Sequence, residues 1–136
     1  MLTCADSPAS GSVTPAVAAG ANHTLALKGD GTAWTWGVNE HGQLGDDTIT
    51  TRLTPVQVSI LTGVTAIAAG LGHTIALKAD GTIWTWGMNE YGQLWDGTYT
   101  DKHIPVNVKF INPAVSSLNN FVFSLIRIIG QMFIGR

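Results

Sequence analysis

Apolar and polar residues alternate with a period of two in short runs along this chain. His23-Thr24-Leu25-Ala26-Leu27 and Ala33-Trp34-Thr35-Trp36 each set every second side chain on one face, as a strand does. Lys28-Gly29-Asp30-Gly31 separates them, and an Asp-Gly pair between two apolar runs predicts a β-hairpin. A further apolar run from Ala16 to Gly20 precedes the hairpin. Asn39 and Gly42 mark a connecting loop, and Pro55-Val56-Gln57-Val58 follows it. Proline is expected at the first position of that last strand, where no ladder donor is needed. The pattern predicts four short strands and no helix.

The whole pattern then returns about fifty residues later. His73-Thr74-Ile75-Ala76-Leu77 repeats the first arm, Lys78-Ala79-Asp80-Gly81 the turn, and Ile83-Trp84-Thr85-Trp86-Gly87 the second arm. Val64 to Gly70 precedes them, and Pro105-Val106-Asn107-Val108 follows. Aligned at this spacing, roughly six positions in ten are identical between Ala16 and Val58 and their counterparts. The departures fall mostly in the loops: His41 becomes Tyr91, Gly45 becomes Trp95, Asp47 becomes Gly97 and Leu53 becomes His103. The expected organisation is a flexible segment over 1–12, repeats over 13–62 and 63–112, and a divergent apolar tail over 113–136.

Trp34 and Trp36 share a strand face, as do Trp84 and Trp86. Each ring can bury about 150–250 Å². A lone hairpin cannot hide two of them, so a second sheet or repeat must cover each pair. Gly37 and Gly87 close these strands where a turn or a close backbone approach is required.

The chain has 136 residues, 45% hydrophobic and only 12% charged, with a formal net charge of −2. So small a charged fraction suits elements stacked on one another. No basic field favours nucleic acid. The single cysteine, Cys4, cannot form an internal disulfide. After about residue 112 the repeat pattern stops. The apolar stretch Phe121 to Gly130 is shorter than the roughly 18–20 residues a membrane span needs, and it contains Arg127. A buried strand, a short helix and an aberrant tail are all compatible with it; docking against the open face of the second repeat is the expectation.

The sequence Ala-Ala-Gly, His-Thr, Ala-Leu-Lys, Asp-Gly-Thr, Trp-Thr-Trp-Gly, Asn-Glu, Gly-Gln-Leu, Pro-Val resembles the repeat of the regulator of chromosome condensation (RCC1) family. Its Trp-rich style is most similar to bacterial members, and the expected setting is extracellular or at a bacterial cell surface rather than cytoplasmic. The resemblance covers 13 to about 110. It implies an all-β fold: an incomplete β-propeller of about two four-stranded antiparallel RCC1-type blades, with a non-repeat C-terminal tail. A full ring holds about seven blades. Two blades leave two faces uncovered, so marginal stability or self-association through the open faces is expected.

The candidate chemistry is sparse. His23 and His73 recur in one slot, but no carboxylate or cysteine accompanies them at ligand spacing, and equivalent slots in different blades are expected to lie well apart. They are read as structural, with Trp34, Trp36, Trp84 and Trp86. Asp46-Asp47-Thr48 and Asp96-Gly97-Thr98 lack a calcium-loop pattern and are read as turn chemistry. No nucleophile, base and orienting group recur together, so neither a catalytic site nor a cofactor is expected. Propeller loops on a rigid scaffold carry recognition. The candidate partner-contact residues are therefore Asn39, Glu40, His41, Asn89, Glu90, Tyr91 and Trp95. The function expected is a non-catalytic protein-interaction scaffold from a longer protein, with no nucleic-acid partner. The alternative, implied by the family's eukaryotic founder, is guanine-nucleotide exchange on a small GTPase.

Overall fold

The computed structural model describes residues 12–109. The tail 113–136 and Cys4 lie outside them. Two four-stranded antiparallel sheets make up the described chain, with no helix. The first holds β1 (Ala16–Ala19), β2 (His23–Leu27), β3 (Ala33–Gly37) and β4 (Arg52–Gln57), paired in that order. The second holds β5 (Val64–Ala69), β6 (His73–Lys78), β7 (Ile83–Gly87) and β8 (Lys102–Asn107), paired the same way. Each is a blade of the expected kind. β5 packs against β1 and β2, which joins the blades.

The β2–β3 hairpin turns where Asp-Gly predicts. Gly31 N–H donates to the Lys28 carbonyl at 2.9 Å, and Lys28 N–H donates to the Thr32 carbonyl at 2.9 Å. Asp30 Oδ1 accepts from both the amide and the hydroxyl of Thr32, and the Thr32 oxygen accepts from Trp34 Nε1 at 3.1 Å. Lys28 Nζ stands 5.4 Å from the centre of the Trp34 ring. Asp80, Thr82, Trp84 and Lys78 repeat this arrangement in the second blade.

Pairing fixes the faces. Thr24 lies opposite Trp36 and Ala26 opposite Trp34; Leu25 lies opposite Thr35 and Leu27 opposite Ala33. The second blade repeats this with Thr74–Trp86, Ala76–Trp84, Ile75–Thr85 and Leu77–Ile83. The Thr35 face of the first blade packs on the Trp86 face of the second. Leu27, Ala33, Val58, Leu61, Val64, Ala76 and Trp86 form the buried cluster between them, with Trp84 and Ile67 packed against it. The expectation that all four tryptophans lie in a core is met only in part. Trp86 is fully buried, whereas Trp34, Trp36 and Trp84 are half-buried. The Trp34–Trp36 pair is on the outer face of the first blade, which no described element covers.

Pro55 and Pro105 do not start their strands. Each is the fourth residue of an edge strand that begins at Arg52 or Lys102. The ladder shifts register opposite Thr35–Gly37 and Thr85–Gly87, and such irregular edge positions tolerate a residue without an N–H. Gly37, at φ +110, allows the chain to pass close to Asn22: a Cβ there would lie 2.5 Å from the Asn22 oxygen, which accepts from Val38 N–H.

Candidate interaction surface: the β3–β4 and β7–β8 loops

The loop between β3 and β4 is organised around Asn39, which is fully buried. Its Nδ2 donates to Asp46 Oδ1, the Thr48 carbonyl and the Thr50 carbonyl at 3.0–3.1 Å, and its Oδ1 accepts from Leu44 N–H at 3.0 Å. Asp46 in turn accepts from the Thr48 amide and hydroxyl and from Arg52 Nε at 2.8 Å. Burial pushes the Asp46 carboxyl up, but its bonds to Thr48, Arg52 and Asn39 outweigh that and hold it below 3.8. Asn89, Asp96, Thr98, Thr100 and Leu94 rebuild the same network between β7 and β8, with Lys102 3.2 Å from Asp96 where the first blade has Arg52.

Asn39 and Asn89, contact candidates from the sequence, therefore present no surface to solvent in this fold. Every polar atom of their side chains is spent inside the loop, and neither reaches solvent. Recurrence of the set Asn39, Asp46, Thr48, Thr50 at a spacing of fifty is the signal that identifies them as loop pins.

Pinning these loops leaves other side chains outside. Glu40 and Glu90 are exposed. His41 is partly withdrawn into the contact between the two loops. Its Nδ1 stands 2.8 Å from Asp101 Oδ2, and Asp101 Oδ1 accepts from Asn89 N–H at 2.7 Å. The loops meet again where Asp47 N–H donates to the His103 carbonyl at 3.0 Å. Tyr91, in the equivalent slot one blade on, is 76% exposed; Trp95 and Tyr99 on the same loop are 72% and 78% exposed. The Tyr99 ring lies over Gly92, where an added Cβ would stand 3.5 Å from it. Tyr99, which stands where the first copy has Ile49, lies within the same loop and adds a third exposed aromatic to it.

His23 sits at the boundary between the blades and reaches the β3–β4 loop through Thr74. His23 is buried, and its Nε2 lies 3.0 Å from Thr74 Oγ1 of the other blade. The Thr74 hydroxyl donates its one proton to the Gln43 carbonyl at 2.8 Å, so His23 Nε2–H is the donor in the first contact. His23 Nδ1 is buried without a partner. Burial holds the His23 pKa below 6.5, and the nearby charge of His73 adds to that; burial lowers His73 likewise. Gly20 lies against both the His23 ring and the Gly70 carbonyl, and Gly70 lies against the His73 ring, so the two slots flank one blade boundary rather than lying well apart. Among the described residues no three His, Cys, Asp or Glu side chains group as they would around a metal, and no helix is long and apolar enough to cross a membrane.

The regulator of chromosome condensation (RCC1) repeat model matches residues 30–77 and 80–117, and a second model of the same repeat matches 16–43 and 64–93. The chain belongs to the RCC1 repeat family. Among curated proteins, the E3 ubiquitin-protein ligase HERC2 of Homo sapiens is 43% identical over 47 residues, 35% of this chain and 1% of that protein; HERC2 of Mus musculus matches equally. Among solved structures, human WBSCR16 superposes with a TM-score of 0.61 at 28% identity, covering 73% of this chain and 27% of WBSCR16. Prp20p of Saccharomyces cerevisiae, described with binding properties to Gsp1p and histones, superposes at 0.63 with 22% identity, covering 71% of this chain and 26% of Prp20p. The yeast RCC1 (Prp20) bound to Kap60 gives 0.64 at 23% identity, with 79% and 26% covered. This RCC1-type chain thus spans about a quarter of those structures and a hundredth of HERC2. Its two sheets are RCC1 propeller blades.

Proposed function

We propose that this chain is a non-catalytic protein-interaction module, two blades of an RCC1-type propeller, and that the β7–β8 loop makes the contact. One observation carries the reading: Tyr91, Trp95 and Tyr99 stand in solvent on a loop whose backbone is pinned by the buried Asn89. Exposed Tyr and Trp on a pre-ordered loop provide contact area at little entropic cost, and such residues dominate binding hot spots. That Prp20 binds Gsp1p, histones and Kap60 supports a protein as the ligand class.

A photo-crosslinking residue placed at position 91 or 99 of the chain, in cells of its source, tests this. Discrete protein adducts from those positions, absent from exposed Thr54, are expected. Equal adduct yields from Thr54, or none from the loop, would contradict it. Guanine-nucleotide exchange, the alternative, predicts accelerated nucleotide release from a small GTPase in a panel assay; the module reading predicts no acceleration.

A further inference from the structure

The contact between the two blades is a template for how any further blade would add. Trp86 of the incoming blade donates its Nε1–H to the Gln43 carbonyl at 2.9 Å, and Thr74 Oγ1 donates to the same oxygen at 2.8 Å. The indole lies over Gly45, which has φ +69. A Cβ built there would stand 2.7 Å from Trp86 Nε1 and 3.0 Å from its Cδ1. Contacts that short do not occur, so the receiving face needs a residue without a side chain at position 45.

The outward face of the second blade offers the same receiving set one repeat on. Ile75, Ile83, Thr85, Gln93, Leu94 and Val108 line an open cleft of about 300 Å³, with Trp95 beside them in its wall. Its loop backbone repeats too: Trp95 N–H donates to the Gly92 carbonyl at 3.1 Å, as Gly45 N–H does to Gly42 at 3.0 Å, and Trp95 keeps the left-handed conformation at φ +54. The outward face of the first blade carries the matching incoming set, Thr24 and Trp36, opposite one another on β2 and β3. A second copy would therefore present Trp36 to the Gln93 carbonyl of the first, over residue 95. There the first blade has glycine and this one has tryptophan.

We infer that Trp95 closes the outer face of the second blade to a following tryptophan-bearing blade, so that copies of this chain do not stack head to tail. Its Cβ alone occupies the space the incoming indole needs. One side chain thus sets what this face refuses, although the apolar lining and the Gln93 carbonyl are retained. This does not rest on the partner-binding reading, and its test contains no partner.

Sedimentation velocity of the full chain over a concentration series, for wild type, Trp95→Gly, Trp95→Asn and Trp95→Gly/Trp36→Ala, decides it. Glycine suits the positive φ and removes the Cβ; asparagine tolerates that φ and retains it. Trp95→Gly should self-associate at least about tenfold more tightly than wild type. Because the contact is heterologous it should build rings or open chains, and rings of four to eight blades contain roughly two to four copies. Trp95→Asn should behave as wild type, and adding Trp36→Ala should abolish the gain. Equal association of wild type and Trp95→Gly, a gain that survives Trp36→Ala, or association of Trp95→Asn as tight as Trp95→Gly would each overturn the inference.

Discussion

Trp86 Nε1 donates a hydrogen bond to the backbone carbonyl of Gln43 across the boundary between the two blades, at 2.9 Å. The bond joins residues 43 apart in sequence and lies inside the buried cluster. It shows how two thin sheets with little charge hold together. Each tryptophan strand lays one face on the neighbouring blade, and the Trp86 indole N–H finds the Gln43 carbonyl, which also accepts from Thr74.

Position decides the energetic weight of chemically identical tryptophans. Trp86→Ala removes a fully buried ring and its hydrogen bond, so a loss of about 3–5 kcal/mol is expected. Trp36→Ala, on the open face of the first blade, should cost about 1–2 kcal/mol, because only part of the ring leaves water. Urea unfolding of the two variants measures both. Equal losses would show that the blades do not pack as described.

Two glycines separate backbone strain from collision. Gly45 and Gly97 both have positive φ, +69 and +82, but a Cβ at Gly97 meets nothing within 4 Å. Gly97→Ala should lose about 1–2 kcal/mol from the left-handed conformation alone. Gly45→Ala should lose about 1–3 kcal/mol more, since its Cβ strikes the Trp86 indole. Similar thermal midpoints for the two variants would contradict the fit at that boundary.

Asn89→Ala should destabilise the β7–β8 loop by about 2–3 kcal/mol, leaving Leu94 N–H without its acceptor and the Thr98 and Thr100 carbonyls without a donor. Glu90→Ala beside it should change stability by less than about 0.5 kcal/mol. Amide exchange across 89–101 checks this, with faster exchange expected in the first variant only.

Acid should weaken the contact between blades through His23. Its folded pKa lies below 6.5, so well above pH 6.5 neither state is charged and there is no penalty. As pH falls below 6.5 the unfolded chain binds a proton that the native chain refuses. Stability then falls, by at most about 1.4 kcal/mol per pH unit for this group, until the folded pKa is passed. His73 shifts the same way. Melting at pH 7.5 and 5.5 should give the lower midpoint at 5.5, and His23→Gln should narrow the gap. An unchanged gap would remove His23 from the account.

Much of the fold was legible from period-two alternation and fifty-residue recurrence, because strands and turns are local. The hairpins at Asp30-Gly31 and Asp80-Gly81 and the sharing of a face by Trp34 with Trp36 are of this kind. Which tryptophan face is covered was not legible. Trp36 and Trp86 have the same neighbours in sequence and differ only in whether a blade precedes or follows them. The burial of Asn39 and Asn89 is not legible locally, because a polar residue after a strand looks the same whether it faces water or folds inward. Pro55 was misplaced for a related reason: its tolerance inside β4 comes from an edge position and a register shift, neither of which is written locally.

Exchange of the indole N–H protons, followed by NMR on the intact chain, tests the paired-blade architecture most directly. Trp86 should be protected by orders of magnitude relative to Trp95, with Trp34 and Trp84, whose indoles bond to Thr32 and Thr82, in between. Trp86 exchanging as fast as Trp95 would mean that the Thr35 face and the Trp86 face do not meet, and the account of this chain as two mutually covering RCC1 blades would fail.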